Sequence, residues 1–86
     1  KEITNTPSDV VFTRSLKMGM NGEDVKQLQA LLKKLNYFPS DQTVTNYFGI
    51  ITNNAVIKFQ KKNKITPAVG FFGPITQAKI LSLTKK

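Results

Sequence analysis

The fold of this 86-residue chain is decided by a six-residue stretch that occurs twice. It reads Tyr47-Phe48-Gly49-Ile50-Ile51-Thr52 and, 24 residues further on, Phe71-Phe72-Gly73-Pro74-Ile75-Thr76. Proline favours the first position of a helix, where its missing N–H has no hydrogen bond to lose. Pro74 therefore predicts that Gly73 is the N-cap of a helix and that Thr76 is the third residue of that helix.

The earlier copy follows the same register, so Gly49 is predicted to be an N-cap and the two copies to open helices at about 50–62 and 74–83. Upstream of both, Val25, Leu28 and Leu32 recur at steps of three and four residues. This spacing places them on one face of a helix, predicted at about 23–35. The predicted fold class is all-α: a compact three-helix bundle with an internal loop–helix repeat.

The predicted core combines the apolar face of each helix with the second aromatic residue of each copy. Its members are Val25, Leu28, Leu31, Leu32, Leu35, Phe48, Ile51, Ala55, Val56, Phe59, Phe72, Ile75, Ala78, Ile80 and Leu83. Helices this short are marginal in water on their own, so the packing of these side chains must stabilise them.

The N-terminal residues show no such periodicity. Residues 1–11 mix Thr, Asn, Pro and Ser, which predicts a flexible linker ahead of a domain at residues 12–86. The chain begins with Lys1 rather than Met, and we interpret it as a fragment of a longer protein or a processed form. No apolar run approaches the ~20 residues that a membrane-spanning helix needs.

The residue types present argue against catalysis and metal binding. The chain has no Cys and no His, which removes thiolate chemistry, the commonest general base and the commonest metal ligands. Glu23 and Asp24 are adjacent on a helix and point apart, whereas a two-carboxylate glycosidase needs a facing pair roughly 5–9 Å apart. We therefore predict a domain that is not an enzyme and uses no cofactor or metal. A monomer is the default expectation.

The chain is strongly basic, with 13 Lys and Arg against 5 Asp and Glu and a net charge of +8. Such a charge attracts polyanions: nucleic acid, anionic lipid or an acidic cell-wall polymer. The alternative interpretation is solubility with incidental attraction of anions. Charge alone does not choose between them.

A set of motifs extends over the three predicted helices: Leu16-x-x-Gly19-x-x-Gly22-x-Asp24-Val25-x-x-Leu28-Gln29-x-x-Leu32, Phe48-Gly49-x-x-Thr52, Ala55-Val56, Phe59-Gln60 and Gly70-x-Phe72-Gly73-Pro74-x-Thr76. In these motifs the sequence resembles the peptidoglycan-binding domain family, three-helix modules of bacterial cell-wall hydrolases and other wall-associated proteins. The resemblance covers about residues 12–84. It departs from the family pattern at Asn36, Asn46 and Lys64, where the family usually has Gly. Asn tolerates a positive φ better than Lys does.

The resemblance implies a wall-binding module that holds a larger parent protein on peptidoglycan or another acidic wall polymer. The implied location is extracellular or at the cell wall, and periplasmic in a cell with two membranes. Neighbours of the module would be the other domains of the parent chain. Whether the glycan or the stem peptide is bound stays open.

Candidate residues divide into structural and ligand-binding sets. The structural set, expected to anchor the core, cap helices or tie down loop backbone, is Gln29, Phe48, Gly49, Thr52, Gln60, Phe72, Gly73 and Thr76. Tyr47 and Phe71 precede the anchoring Phe, so alternation turns them outward, where aromatic rings can stack on sugars. The full set of candidate ligand residues is Tyr37, Asn46, Tyr47, Phe71, Gln77, Lys58 and Lys61.

Two other functions stay open beside wall binding. The same helical faces could dock another protein as a scaffold module, which an exposed apolar patch of several hundred Å² would favour. A nucleic-acid-binding helical domain would fit the charge. It is less favoured because the third helix lacks the run of Arg, Asn or Gln that a reading helix carries at its start.

Overall fold

A computed structural model describes residues 11–84. It contains three helices: α1 (Glu23–Lys34), α2 (Ile50–Lys62) and α3 (Pro74–Thr84). Within residues 11–84 the β pairing is limited to two isolated bridges, so the all-α prediction and all three helix positions are confirmed. Of the predicted linker at residues 1–11, all but exposed Val11 lies outside the described residues.

Helices α1 and α2 end in the same way. After α1, Asn36 adopts a left-handed φ of 71° and the N–H of Tyr37 returns to the carbonyl of Leu32 at 2.8 Å. After α2, Lys64 adopts a φ of 57° and the N–H of Ile65 returns to the carbonyl of Gln60 at 2.9 Å. This is the Schellman arrangement, which satisfies carbonyls at the end of a helix. At the end of α1 the positive φ falls on Asn36, a residue type that tolerates it.

The third departure from the family pattern behaves differently. Asn46 was considered able to adopt a positive φ, but it is not among the left-handed residues. Its carbonyl instead accepts the N–H of Gly22 at 2.9 Å, beside the antiparallel bridge that joins Asn21 to Tyr47. Because its φ is not positive, this position needs no glycine, and an Asn is accommodated without strain.

The core lies where the three helices and the two anchoring phenylalanines meet. Phe48, Phe59 and Phe72 are fully buried, as predicted. So are most of the predicted aliphatic residues: Val25, Leu28, Leu31, Leu32, Ala55, Val56 and Ile80. Leu35 is only partly buried against this cluster. The sequence analysis missed two buried side chains, Leu16 and Phe38, because each stands alone in a loop without helical periodicity.

Four predicted core positions are wrong. Ile51, Ile75, Ala78 and Leu83 are exposed. On α3 the inward stripe is Thr76, Ile80 and Thr84, spaced one turn apart. The cause is polar: Thr76 turns inward to meet a buried amide, which fixes the rotation of the helix and carries its Ile and Leu neighbours outward.

The segment ahead of α1 joins the two repeated loops. Leu16 exchanges backbone hydrogen bonds with Phe72 at 3.0 and 2.8 Å. The N–H of Gly19 donates to the carbonyl of Phe48 at 2.8 Å, and the N–H of Phe48 donates to Met20 at 2.8 Å. Residues 16–20 therefore hold both anchoring phenylalanines by their backbone.

Within the described residues, none of the helices combines the length and apolar character required to cross a bilayer.

Candidate functional site

A buried glutamine organises the first repeat. The side chain of Gln29, on α1, donates through Nε2 to the carbonyl of Tyr47 at 2.9 Å and to the hydroxyl of Thr52 at 2.8 Å. Its Oε1 accepts the N–H of Thr45 at 2.6 Å. One amide thus fixes the loop and the first turn of α2 relative to α1.

Gln60, on α2, makes three contacts of the same kind in the second repeat, with the backbone N–H supplied one residue before the exposed aromatic instead of two. Its Nε2 donates to the carbonyl of Phe71 at 2.8 Å and to the hydroxyl of Thr76 at 3.2 Å, while its Oε1 accepts the N–H of Gly70 at 3.0 Å. Both glutamines are 1% exposed, and within residues 11–84 no buried side-chain polar atom lacks a partner. A buried amide with every group satisfied holds a unique geometry.

The two threonines do not act as the sequence suggested. Thr52 and Thr76 were expected to satisfy backbone groups at the start of their helices, but each hydroxyl accepts from a glutamine amide instead. The pairing of Leu-Gln and Phe-Gln with a later Gly-x-x-Thr is the sequence signal for this contact. Both halves of that signal are present in the sequence, but their contact was not predicted.

An exposed aromatic ring lies over the capping glycine of each repeat. Tyr47 and Phe71 are 50% and 48% exposed, as the alternation predicts. A methyl group added to Gly73 would lie 2.7 Å from Cε2 of Phe71, and one added to Gly49 would lie 3.1 Å from Cε2 of Tyr47. The glycines therefore leave room for the close approach of the rings, most of all at Gly73, and neither has a left-handed backbone.

A shallow groove opens beside each ring. The first-repeat groove, a cavity of about 190 Å³, is lined by Gln29, Phe38, Gln42, Thr43, Thr45, Tyr47, Gly49, Ile50, Ile51 and Thr52. The second-repeat groove, a cavity of about 160 Å³, is lined by Gln60, Ile65, Thr66, Pro67, Val69, Phe71, Gly73, Pro74, Ile75 and Thr76. Both are smaller than the roughly 300–1,000 Å³ of a site that encloses a whole small molecule. Each is sized for one part of a larger ligand.

The two grooves differ in chemistry. Thr43, Thr45 and Gln42 border the first, whereas Pro67 and Val69 border the second at the corresponding side. Neither lining contains a charged residue. The second-repeat groove is thus the more apolar of the two.

A third cavity, which we call the side groove, has a volume of about 370 Å³ and is lined by Tyr37, Pro39, Ile51, Asn54, Ala55, Ile57 and Lys58. It shares Ile51 with the first-repeat groove. The ring of Tyr37 packs edge-on against Phe59, with ring centroids 5.4 Å apart and an interplanar angle of 88°. Tyr37 therefore both packs against the core and lines the side groove.

The candidate ligand residues are distributed over these surfaces rather than gathered in one site. Tyr47 and Phe71 occupy one repeat groove each, and Lys58 lies in the side groove. Exposed Asn46 and Lys61 line none of the three grooves. The arrangement offers three small surfaces rather than one site, and two of them, the first-repeat groove and the side groove, adjoin at Ile51.

Gln77 is already engaged within the fold. Its Nε2 donates to the carbonyl of Arg14 at 2.8 Å and to that of Phe72 at 3.2 Å. These contacts tie α3 to the segment ahead of α1, so the amide donor has a structural task.

The charges are arranged unevenly. Arg14 forms the one ion pair among residues 11–84, with its Nε 2.8 Å from a carboxylate oxygen of Asp24. The hydrogen bond from Arg14 holds the pKa of Asp24 below its usual range, and the same bond raises the pKa of Arg14. The lysines of α2 have no acidic partner within residues 11–84. In the same part of the chain, no three acidic, His or Cys side chains gather into a possible metal site.

Comparison with known proteins places this geometry in a family. Residues 21–80 match the family model of a peptidoglycan binding domain. The chain is 41% identical over 70 residues to a probable N-acetylmuramoyl-L-alanine amidase of Bacillus licheniformis, covering 77% of this chain and 20% of the amidase. It is 44% identical over 50 residues to the carboxy-terminal processing protease CtpB of Bacillus subtilis, covering 58% of this chain and 10% of the protease. The chain thus spans a fifth or less of these relatives.

Solved structures agree with the sequence match. The SleB N-terminal domain superposes with a TM-score of 0.81 at 32% identity, covering 87% of this chain and 100% of that domain. A peptidoglycan-binding protein from Clostridioides difficile, solved in complex with glutamine hydroxamate, superposes with a TM-score of 0.76 at 37% identity, covering 85% of this chain and 44% of that one. The motifs, the repeated glutamine anchors and these matches together show that this chain belongs to the peptidoglycan binding domain family, as a cell-wall-binding module.

Proposed function

We propose that this module holds a larger protein on peptidoglycan by receiving part of the polymer in the second-repeat groove, with the first-repeat groove as a second, more polar contact. The observation that carries the proposal is the exposed ring of Phe71 beside an uncharged, apolar groove. Such a ring offers a flat face for a sugar or an acyl group. Tyr47 repeats the arrangement and adds a hydroxyl.

The two curated relatives support a binding role rather than a reaction. An amidase and a protease carry out different chemistry, yet each contains a region similar to this chain. A region common to both is better explained by a shared location than by either reaction. The three carboxylate side chains among residues 11–84 agree with this, because Asp24 is engaged by Arg14 and both Glu23 and Asp41 are exposed. We therefore assign no catalytic step to this chain.

The proposed location follows from the proposed ligand. Peptidoglycan lies outside the cytoplasmic membrane, so the parent protein would work at the cell wall, or in the periplasm where there are two membranes. Binding by one small site is weak, and a parent protein with several such modules would gain by avidity. The module itself is proposed to act as a monomer, flanked by other domains of its parent.

Retention on purified insoluble peptidoglycan tests the proposal. The chain is incubated with the polymer at ~0.15 and ~0.5 M salt, a range that screens exposed charges. We expect the wild-type chain to be retained at both, and Phe71→Ala to weaken binding roughly fivefold to tenfold because a stacking contact of about 1 kcal/mol is lost. Tyr47→Ala should weaken binding less.

Leu83→Ala is the matched control. Leu83 is 46% exposed, close to the value for Phe71, but lines neither repeat groove. Loss of an exposed apolar side chain at this position should leave retention unchanged. Retention that disappears at ~0.5 M salt and is equalled on DNA-cellulose would contradict the proposal, since it would show that the net charge of +8 binds any polyanion.

A further inference from the structure

The side groove has a feature that the two repeat grooves lack, a charged side chain in its lining. Ile51, Asn54, Ala55 and Lys58 are spaced by three, one and three residues, which places them on one face of α2. Tyr37 and the loop that follows it form the opposite wall. The lining is therefore an apolar trough with two polar groups, the amide of Asn54 and the ammonium group of Lys58. Lys58 lies at the C-terminal end of the helical wall.

Lys58 has no acidic partner among residues 11–84. Helix α2 contains no acidic residue, and the one ion pair among residues 11–84 joins Arg14 to Asp24. The groove lining itself contains no Asp or Glu. The positive charge at this point is therefore not compensated by the part of the fold that the structure describes.

We propose that the side groove binds a free carboxylate carried beside an apolar side chain, with Lys58 receiving the carboxylate and Tyr37, Pro39 and Ile51 contacting the apolar group. Asn54 would bond the amide next to that carboxylate. The proposal rests on the proposed function for the source of the group, which is the peptide portion of peptidoglycan.

The composition of the groove favours a carboxylate over a phosphate. A phosphate bears up to two charges and three acceptor oxygens, and it is commonly held by several donors from Arg side chains or a helix N-terminus. The side groove offers one ammonium and one amide, and Lys58 lies late in α2, away from the helix N-terminus. One cation beside an apolar trough complements a single negative charge next to an alkyl group.

The position of the groove adds to this argument. Ile51 separates the side groove from the first-repeat groove and lines both. A polymer whose neutral part contacts Tyr47 can therefore continue past Ile51 toward Lys58. The ring of Tyr37 is already fixed by its edge-on contact with Phe59, so little side-chain freedom is lost on binding.

A matched pair of small probes tests the assignment by amide chemical-shift titration. N-acetyl-leucine carries the carboxylate and N-acetyl-leucinamide replaces it by a neutral amide. We expect saturable shifts around residues 54–58 with the acid and up to roughly fivefold weaker binding of the amide, the upper end of what an exposed ion pair supplies.

The variants separate a specific contact from general charge. Lys58→Gln should remove the preference for the acid, whereas Lys61→Gln, on the same helix but outside the groove, should retain it. Asn54→Asp should abolish binding of the acid by placing a like charge beside it. All three positions are exposed, so folding is expected to persist and is checked by circular dichroism.

The outcomes decide between the occupants. Equal binding of acid and amide, or an effect of Lys61→Gln as large as that of Lys58→Gln, would overturn the assignment. So would inorganic phosphate binding more tightly than the acid at the same residues. Retention on peptidoglycan that depends on Phe71, with no response to the acid probe, would refute the side-groove inference while leaving the proposed function intact.

Discussion

The loop between α1 and α2 and the loop between α2 and α3 start and end alike but differ in length. Each starts at a left-handed residue and ends at a glycine under an aromatic ring. Gly49 follows Asn36 by 13 residues, whereas Gly73 follows Lys64 by 9. The longer loop contains a turn in which the N–H of Gln42 donates to the carbonyl of Pro39 at 3.2 Å.

This difference shows which parts of the repeat are fixed. In both loops a buried glutamine bonds a carbonyl, a threonine hydroxyl and a backbone N–H. The sequence distance to the threonine differs, with Thr52 lying 23 positions after Gln29 and Thr76 lying 16 positions after Gln60. The chain between the fixed points can therefore lengthen without changing the anchor. The residues between these fixed points differ in the two loops, and they make the first-repeat groove more polar than the second-repeat groove.

The strongest test of this equivalence removes each glutamine. We expect Gln60→Ala to lower the free energy of unfolding by about 3 kcal/mol, because buried groups of Gly70, Phe71 and Thr76 lose their partner. Gln29→Ala should cost as much, since it leaves an equivalent set of three groups. Denaturant titration followed by circular dichroism measures both.

Gln27→Ala is the control for the glutamine variants. It lies on α1, is partly exposed, and should change the free energy of unfolding by no more than ~0.5 kcal/mol. If one buried variant is as stable as the control, the two anchors are not equivalent and the comparison fails.

A smaller effect is expected at the capping glycines. Gly73→Ala should lower the free energy of unfolding by about 1 kcal/mol and displace the ring of Phe71. The new methyl group would clash with that ring, since it would lie closer than van der Waals contact allows. Gly49→Ala has more space and should cost a few tenths of a kcal/mol. Retention on peptidoglycan should fall more for the Gly73 variant.

The double variant Gly73→Ala/Phe71→Ala identifies the cause. Without the ring there is no clash, so the cost of the alanine at residue 73 should largely disappear in a double-mutant cycle. A cost that persists would point to the backbone rather than to the ring.

The helix ends allow a test with the opposite sign. Lys64→Gly should raise the free energy of unfolding by about 0.5–1 kcal/mol, because a left-handed φ is strained for Lys and free for Gly. Asn36→Gly should change it by less, since Asn tolerates this region. Thermal unfolding compares the two, and a loss of stability in the Lys64 variant would contradict the left-handed assignment.

The smallest predicted effect concerns the ion pair between Arg14 and Asp24 at the start of α1. Helices α2 and α3 contain no acidic residue and so have no equivalent pair. Because the folded state lowers the pKa of Asp24, the pair contributes stability above the unfolded pKa of about 4 and loses it as the pH falls through the folded pKa. Asp24→Asn should therefore flatten the dependence of stability on pH below about 4. Its effect near neutral pH should be slight, because exposed ion pairs contribute little to stability.

The sequence predicted the fold closely but the site only in outline. Pro74 and the repeated aromatic-Gly-x-x-Thr stretch were sufficient to position α2 and α3, because local rules govern helix starts. Hydrophobic periodicity then failed on α3, where the contact between Gln60 and Thr76 sets the rotation of the helix. Periodicity weighs apolar burial alone and cannot register a polar contact that overrides it.

The site was harder to predict because its surfaces are made by loops. Alternation predicted that Tyr47 and Phe71 face outward. It could not show that Gln77 is bonded to the backbone of Arg14, 63 residues earlier in the chain. Nor could it show that Tyr37 and Lys58 border one groove, since this requires the path of the loop after α1.

The segment ahead of α1 has a practical consequence for any fusion or graft of this module. The family match begins at residue 21, but Leu16 and Gly19 bond the backbone of Phe72 and Phe48, and Phe12 packs its ring edge-on against Phe72 at 4.9 Å. A chain that started at residue 21 would contain all three helices but would lack the segment that bonds both repeated loops. In an N-terminal fusion, the partner protein should therefore be joined ahead of Phe12.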